Sequence, residues 1–341
     1  MSNAIDPVKL TLQLMAIDST SGCEAEAGHF LLRTLREAGF RAEPIHVQAT
    51  EGPERFNVYA ANTAGAPDVV LSTHMDTVPP YIAGSEDDDF LYGRGSCDAK
   101  GIIASQIAAA QLLAASGEKV GLLFTVGEEL DSAGAKAANL QPKGNKFLIN
   151  GEPTDNRVAI ASKGTLRLTL RAKGKMAHSA YPELGDSAVH KLVGALHDVL
   201  KLPLPVDPEV GACTLNIGVI QGGHAPNVIA DEASARVLVR LIGPGAEILD
   251  AIQQAVGDRA EVETEKENPF IRFAAFPGMP TMVAAFATDV PSLSAWGKPL
   301  LFGPGSIHVA HTPHERLAKK EMHEAIGHYV AIAKGLLHGT A

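Results

Sequence analysis

Cysteine is scarce in this chain of 341 residues: Cys23, Cys97 and Cys213 stand far apart, with no Cys-x-x-Cys spacing. That excludes a disulfide framework and a thiolate zinc site, and three reduced thiols are expected. Positive charge is also short. Lys and Arg number 29 against 39 Asp and Glu, a formal net charge of −10, and a phosphate-binding surface needs the opposite balance, so nucleic acid is not an expected partner. No apolar run approaches the length of about 18 residues that spans a bilayer. The start, Met1-Ser2-Asn3-Ala4-Ile5-Asp6, lacks a basic region followed by an apolar core, so the expectation is a cytoplasmic protein with no membrane partner. Aromatics make up only 5% of the chain, whereas Gly (33) and Pro (21) are plentiful. That mixture means many turns between short aliphatic elements and favours an α/β over an all-helical fold.

What is present is an ordinary globular composition, 45% hydrophobic and 20% charged, over a length that predicts two domains. Apolar residues at helical spacing predict helices over Asp6–Ala16 and Glu24–Ala38. Short aliphatic runs at Phe56–Ala60, Val69–Ser72, Val120–Val126 and Lys146–Ile149 predict strands. An Ala-rich helix over Lys100–Ala115 and a shorter one near Ser132–Leu140 separate them. Such alternation builds a mostly parallel sheet flanked by helices, in which ligands collect where the strands end.

Near Lys163 the pattern changes. Strands over Thr165–Ala172, Thr214–Ile220, Ala233–Leu241 and Ala260–Thr264, with helices over Asp186–Leu200 and Ala246–Val256, follow the order β-α-β-β-α-β. That is the order of a ferredoxin-like unit. The expected organisation is therefore an α/β catalytic domain over residues 1–162 and 273–341, closed by a helix at Leu317–Leu337. An inserted ferredoxin-like α+β domain occupies 163–272, and the polar stretch Glu265–Asn268 is a hinge back into the first domain.

Thirteen histidines stand out, because imidazole and carboxylate together can hold a metal without thiolates. The Val69–Ser72 strand leads into Thr73-His74-Met75-Asp76-Thr77-Val78-Pro79. Alternation turns His74 and Asp76 the same way, so the carboxylate can orient the imidazole. In Gly93-Arg94-Gly95-Ser96-Cys97-Asp98-Ala99-Lys100-Gly101, Asp98 either caps the following helix or bridges metals. After Val120–Val126 comes Gly127-Glu128-Glu129, either a solvated acidic turn or a pair in which one carboxylate ligates and the other holds a proton. A further carboxylate, Glu152, lies in Asn150-Gly151-Glu152-Pro153-Thr154, and His308, His311 and His314 cluster near the C-terminus. The set His74, Asp98, Glu129, Glu152 and His311 suits two divalent ions sharing one bridging carboxylate.

In this order and spacing the motifs resemble those of the dinuclear zinc aminoacylase and carboxypeptidase family, which includes acetylornithine deacetylase, succinyl-diaminopimelate desuccinylase and glutamate carboxypeptidases. The resemblance runs from Ser19-Thr20-Ser21-Gly22 to His311, nearly the whole chain. It implies that His74 and Glu152 are terminal ligands of one ion, Glu129 and His311 of the other, and that Asp98 bridges them. Asp76 would then be the partner of His74, and Glu128 the general base toward the water that the two ions share. The family places its last ligand four residues before a Glu, and Glu315 selects His311 over His308 and His314. The ions implied are zinc, with cobalt or manganese as alternatives.

The segment Gly174-Lys175-Met176-Ala177-His178-Ser179-Ala180-Tyr181-Pro182 is similar to the one whose histidine stabilises the oxyanion in a partner subunit's site, which implies a homodimer through the inserted domain. Asn227, in Gly222–Ile229, and Arg240 match positions that hold the substrate's α-carboxylate; a turn asparagine and a surface ion-pair arginine are their plainer readings. The implied activity is hydrolysis of an N-acyl amide of an amino acid. Phe302-Gly303-Pro304-Gly305-Ser306-Ile307 is most like the acetylornithine deacetylase branch. Acetylcitrulline, acetyl-lysine-type and succinyl-diaminopimelate substrates, or a dipeptide, stand as alternatives, and the net charge mildly favours a cationic one. No Gly-x-Ser-x-Gly occurs and Cys97 has no histidine partner assigned, so a nucleophilic hydrolase is set aside. Retention of Glu128 argues against a non-catalytic relative.

Overall fold

A computed structural model describes residues 4–47, 53–274 and 276–339; Met1-Ser2-Asn3 of the expected leaderless start lie outside them. The chain divides into two compact units, one of residues 1–160, 273–282 and 288–341 and the other of residues 161–272 and 283–287.

The first unit is α/β. Its six-stranded sheet runs in the order Arg41–His46, Phe56–Ala61, Val120–Thr125, Val69–His74, Phe147–Asn150, Lys298–Leu301. The last four strands are mutually parallel, and Phe56–Ala61 runs against its neighbours on both sides. Val69–His74 and Val120–Thr125 are buried at every position, which is why they read as continuous apolar runs rather than alternating ones. The Lys100–Ala115 helix is buried nearly all round, and small residues let it seat closely. A Cβ on Gly101 would stand 2.2 Å from the Ser96 carbonyl oxygen, so only glycine fits that first turn. Asp6 accepts hydrogen bonds from the Val8 and Lys9 backbone N–H groups and starts the Pro7–Met15 helix one residue later than the periodicity predicts.

Two edge strands escape the sequence reading. Arg41–His46 alternates polar and apolar residues and carries Pro44, which an edge tolerates, and Lys298–Leu301 is short and begins with Lys-Pro. The parallel register pairs His74 with Thr125, Ser72 with Asn150 and Asn150 with Leu301. The loops after these four strands therefore leave the sheet along one edge.

In the second unit, strands Gly164–Lys173, Thr214–Gly222, Glu232–Leu241 and Glu261–Asn268 form an antiparallel sheet. Its spatial order is second, third, first, fourth, the ferredoxin-like arrangement. The Ala188–Val199 and Gly245–Val256 helices pack on one face, against Leu166, Leu168, Leu170, Val237 and Val239. Here one expectation fails. Glu265–Asn268 is no hinge: Lys266, Glu267 and Asn268 pair with Arg167, Leu166 and Thr165 after a bulge. An edge strand with one solvated face is polar enough to look like a linker. No helix among the described residues is long and apolar enough to cross a membrane.

Candidate active site

The site is assembled at the C-terminal edge of the parallel strands of the first unit. His74 ends one of them, and its Nδ1 donates to the backbone carbonyl of Asp76 at 2.9 Å. A carbonyl only accepts, so this bond places the ring proton on Nδ1 and leaves the Nε2 lone pair facing inward. The Asp76 carboxylate, the expected partner of His74, lies 3.6 Å from the same Nδ1, within ion-pair range. The strand ends at His74, and the Asp76 carboxylate also reaches the acidic turn. It accepts from the backbone N–H groups of Glu128 at 3.1 Å and Glu129 at 3.2 Å and from Ser21 Oγ at 2.7 Å. Asp76 thus fixes the acidic turn as well as the histidine loop. Gly127 makes that turn possible with φ +73, and a Cβ there would stand 2.4 Å from the Arg55 guanidinium.

Asp98 touches both imidazoles. Its Oδ1 is 3.0 Å from His74 Nε2 and its Oδ2 3.2 Å from His311 Nε2. His311 Nε2 also lies 2.8 Å from Glu129 Oε1. His311 holds this position with φ +62, a left-handed backbone that costs a non-glycine residue about 1–3 kcal/mol and recurs at functional sites. His308 and His314 are exposed and reach none of these carboxylates. Asp98 does not cap the Lys100–Ala115 helix, whose cap position is Ala99 with no side-chain hydrogen bond. Glu152 is buried just beyond the Phe147–Asn150 strand, and its Oε1 has no hydrogen-bond partner.

The electrostatics are those of a buried acidic pocket that two imidazoles offset only in part. Burial pushes the Glu128 carboxyl well above its ordinary pKa, and repulsion from Glu152 adds to it. Burial raises Glu152 likewise, opposed by His74. Hydrogen bonds that His311 donates to the Asp98 and Glu129 carboxylates raise its imidazole to about 10. Buried carboxylates at this density require protons or cations between them. One ligand atom each from His74, Asp98 and Glu129 already lies within 4.8 Å of the others. The orphaned Glu152 oxygen and the all-nitrogen-and-oxygen donor set fit divalent ions of the zinc, cobalt or manganese type.

Comparison with known proteins decides the family. Residues 70–335 match the model of peptidase family M20/M25/M40. The chain belongs to that family. It is with it a metal-dependent hydrolase acting on amide bonds. A peptidase M20 domain-containing protein of Schizosaccharomyces pombe is 37% identical over 94% of this chain and 82% of its own length. A probable carboxypeptidase of Aspergillus terreus is 37% identical over 93% of this chain and 83% of its own. In fold, a tripeptidase from Staphylococcus aureus superposes with a TM-score of 0.82 at 22% identity, covering 97% of this chain and 98% of that one.

Of the expected residues, the structure brings together His74, Asp98, Glu129 and His311 by direct contact. Glu128 and Glu152 lie within electrostatic reach of them. His178, Asn227 and Arg240 belong to the second unit. His178 is exposed, accepts from the Ala180 N–H at 3.1 Å, and sits on a short strand pair with Val228. The Asn227 carbonyl accepts from the Ser179 N–H at 3.0 Å, which ties the His178 and Asn227 loops to each other. Arg240 lies half-buried on the sheet face away from the helices, and burial lowers its pKa.

Two residues of the pocket were missed as such. Asp289 is buried, accepts from Thr125 Oγ1 at 2.8 Å, and its pKa is pushed up to about 6 by burial. Its sequence signal is weak, an acid just before the apolar Val290 in Thr288-Asp289-Val290. Glu315, read only as a marker for His311, holds the Asp98 loop. One oxygen accepts from the N–H groups of Gly95, Cys97 and Asp98 at 2.9, 3.3 and 3.2 Å, and the other pairs with buried Arg94 at 2.5 Å. Glu315→Ala is expected to destabilise the protein by about 3–5 kcal/mol, the cost of stranding one partner of a buried ion pair. Urea unfolding measures it, and joint replacement with Arg94→Met should recover much of the loss.

Proposed function

We propose that this hydrolase releases a C-terminal amino acid from an N-acyl amino acid or a short peptide. The observation that carries the reading is the buried cluster of His74, Asp98, Glu129 and His311 with the unpartnered Glu152 oxygen and Glu128 beside it. His74 and Glu152 would hold one ion, Glu129 and His311 the other, with Asp98 between them. Two such ions supply a lowered water pKa and a polarised acyl carbonyl.

The chain's residues do the rest. Glu128 takes a proton from the attacking water as its oxygen bonds to the acyl carbon, then passes that proton to the amine as the C–N bond breaks. A buried carboxyl with a raised pKa suits both transfers. Asn227 and Arg240 hold the α-carboxylate of the departing amino acid. The second unit pairs two chains, and His178 stabilises the oxyanion.

Deacetylation of N-acetylornithine-type substrates and carboxypeptidase cleavage are the same reaction with different acyl groups. The resemblance of Phe302–Ile307 supports the first, and the curated relatives' description as probable carboxypeptidases supports the second. Dialysis against a chelator should abolish hydrolysis of a panel of N-acetyl amino acids and dipeptides, and zinc, cobalt or manganese should restore it. Hydrolysis that survives complete metal removal would refute the reading.

A further inference from the structure

Four of the five proposed ligands are steadied through their own side chains. His74 is fixed at Nδ1, Asp98 by the two imidazoles, Glu129 by His311, and His311 by the two carboxylates it touches. Glu152 is different. Among the described residues its carboxylate makes no ion pair and its Oε1 no hydrogen bond, although the residue is buried. The direction of this carboxylate is therefore set by the backbone that carries it.

That backbone is held on both flanks. The Phe302 N–H donates to the Asn150 carbonyl at 3.0 Å, and the Gly303 N–H donates to Thr154 Oγ1 at 2.9 Å. The Gly151 N–H donates to the Ser72 carbonyl at 2.6 Å, and the Gly151 carbonyl accepts from Thr73 Oγ1 at 2.8 Å. Tyr329, buried on the Lys319–His338 helix, reaches the middle of these contacts. Its hydroxyl donates to the Phe302 carbonyl at 2.8 Å and accepts from Gln106 Nε2 at 3.3 Å, and the same Nε2 donates to the Ser72 carbonyl at 2.9 Å. One hydroxyl thus joins the strand that ends in His74 to the segment from which the Glu152 loop hangs.

The fit around it is close. The Tyr329 ring stands edge-on to Phe302, with centroids 4.9 Å apart at 85°, which fixes where the hydroxyl lies. A Cβ on Gly151 would stand 2.9 Å from that hydroxyl, and one on Gly303 would stand 3.2 Å from it and 2.6 Å from the Glu152 carbonyl oxygen. Residues without a side chain thus flank Glu152 where the hydroxyl approaches. Burial raises the Tyr329 pKa and the charge on Glu152 adds to it, so the group stays protonated and able to donate.

We infer that Tyr329 is a positioning residue for Glu152: its hydroxyl fixes the Gly151 and Gly303 backbones around that carboxylate, and so sets the affinity for the ion that Glu152 holds. The inference rests on the proposed ligand role of Glu152. Tyr329 acts through the loop and not as a ligand, since Phe302 and Gln106 take up its hydroxyl.

The test equilibrates the zinc-loaded enzyme with buffers of graded free zinc and measures the zinc held per chain. Tyr329→Phe keeps the ring and removes the hydroxyl. It should release one ion at about 10- to 100-fold higher free zinc than wild type, the usual weight of a group that supports a ligand, and hold the other unchanged. Tyr59→Phe, at a buried tyrosine packed on Trp296 in a separate core cluster of the same unit, should release both ions at the wild-type concentrations. Wild-type retention of both ions by Tyr329→Phe overturns the inference, and so does equal weakening of both, the result of general loosening. Should Tyr329→Phe not accumulate as folded protein, Gln106→Met, which removes the donor to the hydroxyl, is read the same way. Glu152→Gln separates the two levels of the argument. If it holds both ions as wild type does, the ligand role falls and the inference with it; if it loses one while Tyr329→Phe loses none, only the inference falls.

Discussion

Glu128→Gln is expected to lower kcat by about 10²- to 10⁴-fold, the usual weight of a positioned acid–base group, with KM and metal content held. Glutamine keeps the shape of the side chain, and the backbone N–H of residue 128 still donates to Asp76. The turn should therefore survive, and only the proton acceptor is lost. Glu128 is also outside the proposed ligand set, so metal analysis of the purified variant should match wild type. Steady-state kinetics with metal quantitation checks both halves. A variant that loses its ions along with its activity would make Glu128 a ligand. One that keeps its activity would remove the proton-transfer role from Glu128.

Asp98→Ala is expected to have the larger effect on metal. Among the described residues Asp98 alone contacts both imidazoles, at 3.0 and 3.2 Å, so its removal would deprive both proposed ions of a ligand at once. Even groups that only support a ligand are worth about 10- to 100-fold in affinity, and a shared ligand should exceed that. Stability should follow affinity. Ions present at about 1,000 times Kd stabilise a folded protein by roughly 4 kcal/mol, and the variant should lose the rise in melting temperature that added zinc produces in wild type. Melting curves with and without metal, together with metal content, decide the point. Two ions per chain and an undiminished thermal shift in the variant would remove Asp98 from the bridge.

Much of the architecture was legible because the strongest sequence signals come from burial. Val69–His74 and Val120–Thr125 are covered on both faces, so they appear as unbroken aliphatic runs. The β-α-β-β-α-β order of the second unit needs only periodicity to be read. Edge strands carry a weaker signal for the converse reason. Arg41–His46, Lys298–Leu301 and Glu265–Asn268 are partly solvated and polar, and local pattern alone does not separate them from loops.

The ligand candidates could be named from sequence because each follows a strand or sits in a glycine turn, where short-range chemistry shows. Their supports could not be. Asp76, expected only beside His74, also anchors the Glu128 and Glu129 N–H groups, some 50 residues away in the chain. Glu315 ties down the Asp98 loop across a separation of 217 residues. Asp289 reaches Thr125 across 164.

The sequence by itself determined the chemistry on offer: nitrogen and oxygen donors without thiolates, an acidic excess, a mostly parallel sheet and an inserted second unit. Residue type and local periodicity carry that information. Only the tertiary structure decided which acid stays unpartnered and which distant residues anchor the turns that carry the ligands. Those outcomes depend on strand register and on contacts between segments hundreds of residues apart, which no local pattern encodes.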